Sequence, residues 1–196
     1  MSDKEEATPK EVPFPPPSIA TLPNGISVRR YHPTADIDPS AHHANDVRIS
    51  RFMTNTFPSP YTRDSAIFWI DRTLALETQD AFVIAVNDQL VGGIGFKPMS
   101  DIYERTVVIG YWIGAEFWGR GIGGQVVKAF TAWVFRELKH VERIEAETSA
   151  QNVGSQKVLL KAGFVEEGLQ RRKVFKLGEF HDVKVFAALR GEWKEA

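Results

Sequence analysis

The stretch Trp118-Gly119-Arg120-Gly121-Ile122-Gly123-Gly124 places four glycines within six residues, between an alternating apolar run and a run with helical period. Without Cβ atoms, such a backbone can approach a ligand closely and enter conformations that other residues avoid. The helix beginning near Ile122 presents N–H groups that have no intrahelical partner, which suits an anion. The layout is a phosphate cradle, and more than one nucleotide-binding fold uses one.

Gly119, Gly121 and Gly124 satisfy the dinucleotide pattern G-x-G-x-x-G, and Glu145 stands about 20 residues on, where that fold keeps its ribose-binding acid. Two features oppose it. A dinucleotide fold repeats parallel strand-helix-strand units, whereas here a single further helix precedes a terminal hairpin. A spacer, residues 114–118, also separates strand from glycines. No G-K-[ST] follows, so the P-loop pattern is not met. A merely structural glycine turn stands as the remaining reading.

The chain has 196 residues, of which 43% are hydrophobic and 13 are Phe, enough for one domain with its own core. A formal net charge of −1 gives no global field to gather nucleic acid or an anionic membrane, so neither is an expected partner. The absence of cysteine excludes disulfides, thiolate metal sites and Cys-based covalent catalysis. The N-terminus lacks the basic start and apolar run of a signal peptide, and no stretch nears the ~20 apolar residues of a membrane span. A soluble, cytoplasmic protein is expected.

Residues 1–25 form a proline-rich segment, with Pro15-Pro16-Pro17 beside Lys4-Glu5-Glu6, and read as a flexible tail that cannot bury enough surface to offset its ordering entropy. The domain then covers 26–196. A strand is expected at 26–31 after the Asn24-Gly25 turn, and one or two helices between 36 and 53. A helix capped by Thr62 follows at 65–77, with Ile67, Phe68, Ile70 and Leu74 as its apolar face. Residues 81–86 and 89–96 form an antiparallel hairpin about Asn87-Asp88, and 106–113 is the strand that delivers the chain to the glycines. The next helix turns Ile122, Val126, Phe130, Trp133, Val134 and Leu138 to one side. A strand at 143–148, a helix at 153–162 opened by Asn152, and a hairpin of 164–176 with 182–189 complete a mixed sheet with helices packed on it.

Weaker features read as surface. His42 and His43 are adjacent and do not address one metal from a regular helix. Alternation along a strand splits Arg171-Arg172-Lys173 between two sides; the segment either meets an acidic substrate or a cofactor's 3′-phosphate, or is a solvated face. Phe57 and Tyr61 either border a pocket or pack in the core.

These residues resemble the GNAT superfamily of acetyl-CoA-dependent N-acetyltransferases. Residues 118–123 are similar to its pyrophosphate loop, [QR]-x-x-G-x-[GA], except at Trp118. The branch it looks like is that of the ribosomal-protein N-terminal (Rim-type) acetyltransferases. The similarity rests on Gly110-Tyr111-Trp112-Ile113, on Asn152-x-x-Ser155 leading to Lys161-Ala162-Gly163-Phe164, and on Glu167-Gly168 and Gly178-x-x-His181-Asp182. Phe57-Pro58-x-Pro60-Tyr61-Thr62 and Glu192-Trp193 extend it over roughly residues 26–193. The resemblance implies an α/β (α+β) fold with a mixed, mostly antiparallel sheet of about seven strands, flanked by helices and splayed at the cofactor site.

By the same resemblance, Tyr111, Trp112 and Ile113 pair their backbone with the pantetheine arm, and Gly119, Arg120, Gly121, Ile122, Gly123 and Gly124 hold the pyrophosphate. Asn152 helps hold the arm, with helix capping as its other reading. Glu147 is the candidate general base, or else a solvated acid at a strand end; Ser155 is the candidate proton donor to the leaving thiolate, or else a first-turn capping residue. Direct transfer in a ternary complex with a primary amine suits a chain without cysteine. The acceptor is a protein or peptide N-terminus or a small-molecule amine such as an amino acid or polyamine, no metal is required, and the assembly is a monomer or homodimer. Leu159, Val174 and Val108 depart from the family, standing where relatives carry a Tyr acid and two Glu residues. These departures motivate one rival, an acyl-CoA-binding protein that has lost transferase chemistry; the dinucleotide pattern keeps another, a nicotinamide oxidoreductase.

Overall fold

A computed structural model describes residues 12–76 and 78–194. Eight strands form one sheet: β1 (Ser18–Thr21), β2 (Ile26–Arg29), β3 (Ala81–Val86), β4 (Gln89–Pro98), β5 (Thr106–Ile113), β6 (Arg143–Ser149), β7 (Val165–Lys176) and β8 (Glu179–Leu189). Their order is β1-β2-β3-β4-β5-β6-β8-β7, and among them only β5 and β6 run parallel. That single parallel pair rules out the repeated parallel units of a dinucleotide fold. The α-helices among the described residues are α1 (Ile37–Ala44), α2 (Val47–Ser50), α3 (Arg63–Ala75), α4 (Ile122–Glu137) and α5 (Val153–Lys161).

The sheet has one strand more than expected because β1 comes from the proline-rich segment. Residues 18–21 pair antiparallel with β2, so the ordered body begins before residue 26. Upstream, Pro16 is buried, Phe14 meets the His32 ring edge-on at 5.6 Å, and the Arg29 guanidinium lies over Phe14 at 5.5 Å. Residues 1–11 of the expected tail lie outside the described residues.

Two hydrophobic clusters occupy the two faces of the sheet. One packs Val126, Phe130 and Val134 of α4 and Leu159 of α5 against Val28, Phe82, Ile84 and Ile144. The apolar face expected for α4 is the one it buries, with Trp133 and Leu138 at its margin. Arg190 ends this helix by donating to the Phe135, Leu138 and Val141 carbonyls at 2.7–2.9 Å, partners that the last turn of a helix lacks.

The second cluster packs Ile37, Ala44, Ala66 and Ile70 against Tyr31, Val83 and Leu90. Here the expected face of α3 is corrected. Phe68 is 70% and Leu74 42% exposed, while Ala66, Ile70 and Thr73 are buried. The helix does start at a Thr62–Ser65 capping box, and its expected end at Glu77 lies outside the described residues. Under this cluster Arg29 and Asp36 form a fully buried bidentate pair at 2.7 and 2.8 Å, and Arg29 also donates to the Asp88 carbonyl. One guanidinium thereby joins β2, the N-cap of α1 and the β3–β4 turn.

Candidate active site

β5 is laddered to β4 along Val107–Ile113, yet it pairs with β6 only over residues 106–108. Beyond Val108 the two strands part, while β6 keeps its ladder with β8 from Arg143 to Ser149 on its far side. The backbone of residues 109–113 therefore faces an opening with no strand across it. A cavity of about 770 Å³ fills the gap, with Ile109, Gly110 and Tyr111 on one wall and Ala146, Glu147, Thr148 and Ser149 on the other.

At the end of β5 the chain passes through a single helical turn into the glycine loop. Gly119 and Gly121 have φ of 76° and 75°, a region strained for any residue with a Cβ, and no atom fills the space where the Gly119 Cβ would stand. Gly121 is the N-cap of α4 and provides no side-chain cap, which leaves the first N–H groups of the helix facing the loop. Gly123 serves a different purpose: a Cβ there would meet Val158 Cγ2 at 2.9 Å, so its smallness lets α4 and α5 approach. The Ile122 side chain is in the core, leaving only its backbone for a ligand. Arg120 lies over the Phe117 ring at 5.1 Å, and Trp118 donates from Nε1 to the Ile113 carbonyl at 2.7 Å.

Alternation along β5 divides its side chains. Tyr111 turns into the cleft, where its hydroxyl meets Ser155 Oγ at 2.9 Å and the Ser155 carbonyl at 3.2 Å. Burial pushes the Tyr111 phenol up to about 12. Trp112 points the other way, into the cluster with Phe57, whose ring is 6.1 Å distant. Ser155 lies in the first turn of α5, where Asn152 Oδ1 accepts from its backbone N–H at 3.1 Å. Asn152 is thus the helix cap and also lines the cavity. The hydroxyl pair was missed in the sequence because Tyr111 is 44 residues from Ser155; the helix-opening Asn-x-x-Ser after a strand was the available signal.

Glu147 lines the opposite wall and is ion-paired with Lys173 of β7. The charges of residues 171–173 are split as expected, but by a bulge and not by strand alternation. A bulge between Gln170 and Val174 interrupts the ladder, Arg172 has φ of 53°, and the Asp182 carboxylate accepts from the Arg172 N–H at 2.8 Å. Arg172 then lies over the Phe180 ring at 4.4 Å, while Lys173 reaches Glu147. Glu145, the acid of the dinucleotide pattern, belongs to a surface cluster in which Arg143 bridges Glu145 and Glu167.

His42 and His43 are also corrected. They do converge, with Nε2 of His42 at 3.5 Å and Nδ1 of His43 at 3.1 Å from Glu116 Oε1, because the short α1 ends there and frees the two rings to turn. Phe57 and Tyr61 pack in the second core cluster. Val108, Leu159 and Val174 all line the cavity, so the family departures stand in the cleft itself.

Known proteins share this architecture. Residues 26–165 match the family model described as an acetyltransferase (GNAT) domain. The uncharacterized N-acetyltransferase p20 of Bacillus licheniformis is 27% identical over 161 residues, spanning 81% of this chain and 89% of that one. The ribosomal-protein-serine acetyltransferase of Escherichia coli is 28% identical over 55% of this chain and 59% of its own length. Mycobacterium smegmatis RimJ, solved with a CoA disulfide, superposes with a TM-score of 0.76 at 22% identity, covering 85% of this chain and 83% of that one. No helix among the described residues is long and apolar enough to cross a membrane. A single sheet that parts after one parallel contact, a glycine loop at the helix beyond the gap, and a family match over most of the chain agree: the protein belongs to the GNAT acetyltransferase family.

Proposed function

We propose that this domain transfers an acetyl group from acetyl-CoA to a primary amine by direct attack. The observation that carries the reading is the edge of β5 over residues 109–113, which no strand covers although Trp118 meets its last carbonyl, and which opens onto a cavity and leads to an uncapped helix N-terminus. An arm rich in amides can add to that edge as a strand would, and a pyrophosphate suits the glycine loop with Arg120 beside it. The residues therefore fit the cosubstrate.

When bound, acetyl-CoA supplies a thioester: the amine nitrogen bonds to the acetyl carbon, the carbon–sulfur bond breaks, and CoA leaves as its thiol. Glu147 accepts the proton that the attacking amine sheds, and Lys173 is the partner it exchanges for the amine. On the other wall, the Ser155 hydroxyl donates toward the departing sulfur. Tyr111, kept neutral by burial, holds Ser155 and shares its hydrogen bond. Asn152 fixes the turn that presents Ser155. The gap between β5 and β6 separates donor and acceptor groups, so the two substrates meet within one cavity.

The engagement of Glu147 by Lys173 also favours a second reading, an acyl-CoA-binding protein whose base is disarmed. Thiol release over a panel of amines separates the two. Turnover that Glu147→Gln abolishes, with acetyl-CoA binding retained, supports transfer. Tight acetyl-CoA binding with no turnover on any amine supports the binder, and stabilisation by NADH in place of acetyl-CoA removes both.

A further inference from the structure

The charges of the cavity do not balance. Arg48, Arg51, Lys97 and Lys176 line it, against Glu147 and Glu179. Arg48 is answered by a bidentate contact with Asp46, and Glu147 by Lys173. With those pairs removed, Arg51, Lys97 and Lys176 face Glu179 alone, and among the described residues none of the three cations has a carboxylate within ion-pairing distance.

Two of these cations, Arg51 and Lys176, belong to segments that meet at the cavity. The Lys176 ammonium, at the end of β7, donates across the cleft to the Met53 carbonyl, two residues from Arg51. Arg51 is the C-cap of α2 and lies over the Phe52 ring at 4.8 Å. Lys176 is half-buried, and loss of solvent pushes its pKa down. A carbonyl answers only part of the cost of drying an ammonium, and an anionic group adds the opposite charge that a carbonyl lacks.

We propose that the acceptor is a primary amine that also carries a carboxylate, seated on Lys176 and Arg51 with its amine toward Glu147. The inference rests on the acetyl-transfer reading and narrows its substrate class. The same excess of positive charge disfavours the ammonium form of the bound amine, which raises the share of neutral nucleophile. A polyamine, with further cations to place, meets repulsion on the wall where an acidic acceptor finds partners. Polyamines are thereby separated from amino acids and acidic peptide N-termini, two sources of the same chemistry.

Matched acceptors test it. Alanine against alaninamide probes a main-chain carboxylate, alanyl-aspartyl-alaninamide against alanyl-asparaginyl-alaninamide probes a side-chain one, and spermidine is the cationic arm. In wild type the acidic member of at least one pair is expected to show a roughly tenfold to hundredfold higher kcat/KM, the range of one or two charge-assisted contacts. The pair that responds identifies the source. Lys176→Met and, independently, Arg51→Gln should bring that ratio toward one, and Lys176→Arg should keep most of it; melting curves confirm that each variant is folded. Equal rates within both pairs, a preference for spermidine, or a ratio that survives Lys176→Met overturns this inference and leaves acetyl transfer intact. Binding of acetyl-CoA with no turnover of any amine overturns both.

Discussion

The two walls of the cleft are built on different principles. The donor side, from β5 through the glycine loop to the first turns of α4 and α5, works through backbone: an unladdered strand edge, two glycines at positive φ and an uncapped helix end. The proposed acceptor side, from the end of α2 to the tip of the β7–β8 hairpin, works through long side chains that reach across 26 residues from Lys173 to Glu147 and 123 residues from Lys176 to the Met53 carbonyl. A backbone site is fixed by local chain geometry and tolerates change in exposed side chains. A side-chain site is rewritten by single substitutions. One scaffold can therefore hold its donor constant while its acceptor varies.

The largest expected effect tests the acceptor wall. Glu147→Gln should lower kcat by about 10²–10⁴-fold, the usual range for loss of a general base, while a calorimetric titration finds acetyl-CoA affinity within a factor of two or three, roughly. Equal loss of both would erase the division between the walls. Beneath them, Asp36→Ala strands the buried Arg29 guanidinium and should cost about 3–5 kcal/mol in urea unfolding.

The donor wall gives the reverse pattern. Gly121→Val forces a β-branched residue into the left-handed region, at a strain of about 1–2 kcal/mol, and should weaken acetyl-CoA binding roughly tenfold with acceptor KM little changed. Tyr111→Phe removes one hydroxyl of the Ser155 pair and should reduce kcat by about tenfold or less. Because burial holds Tyr111 near 12, the wild-type rate should show no tyrosine ionisation below about pH 11. A tyrosine pKa near its ordinary value would remove the burial argument.

The smallest effect lies outside both walls. Arg143 holds the Glu167 carboxyl below its ordinary range, and the group is partly exposed. The stability it contributes is present above the unfolded-state pKa and is lost as pH falls through the lower folded-state value. Glu167→Gln should therefore cost under about 1 kcal/mol at neutral pH, a difference that closes in acid. A gap that widens in acid would contradict the assignment.

The same division governs what could be read from the chain. The donor wall is written in short patterns: glycines between strand and helix, apolar residues at helical spacing down α4, and Asn152 at the mouth of α5. The acceptor wall depends on contacts between distant segments, so neither Lys173 nor Lys176 announces its partner. Local pattern also misled. In α3 the Phe68 and Leu74 side chains fit an apolar stripe, yet the buried face is centred on Ala66, Ile70 and Thr73, with Ile67 packed at its margin. Alternation failed at residues 171–173 because a bulge has no sequence signature as strong as a glycine pair. The buried Arg29 looked like one more polar residue on an alternating strand; only its bidentate partner seven positions on explains it.

The parting of β5 from β6 has a consequence for the lifetime of the protein. An unfinished sheet is a fold with one rung left for its ligand to supply, so occupancy adds to the free energy of the native state in proportion to the logarithm of ligand concentration. Saturation with acetyl-CoA should therefore lengthen the life of this chain under a protease that cleaves its opened form.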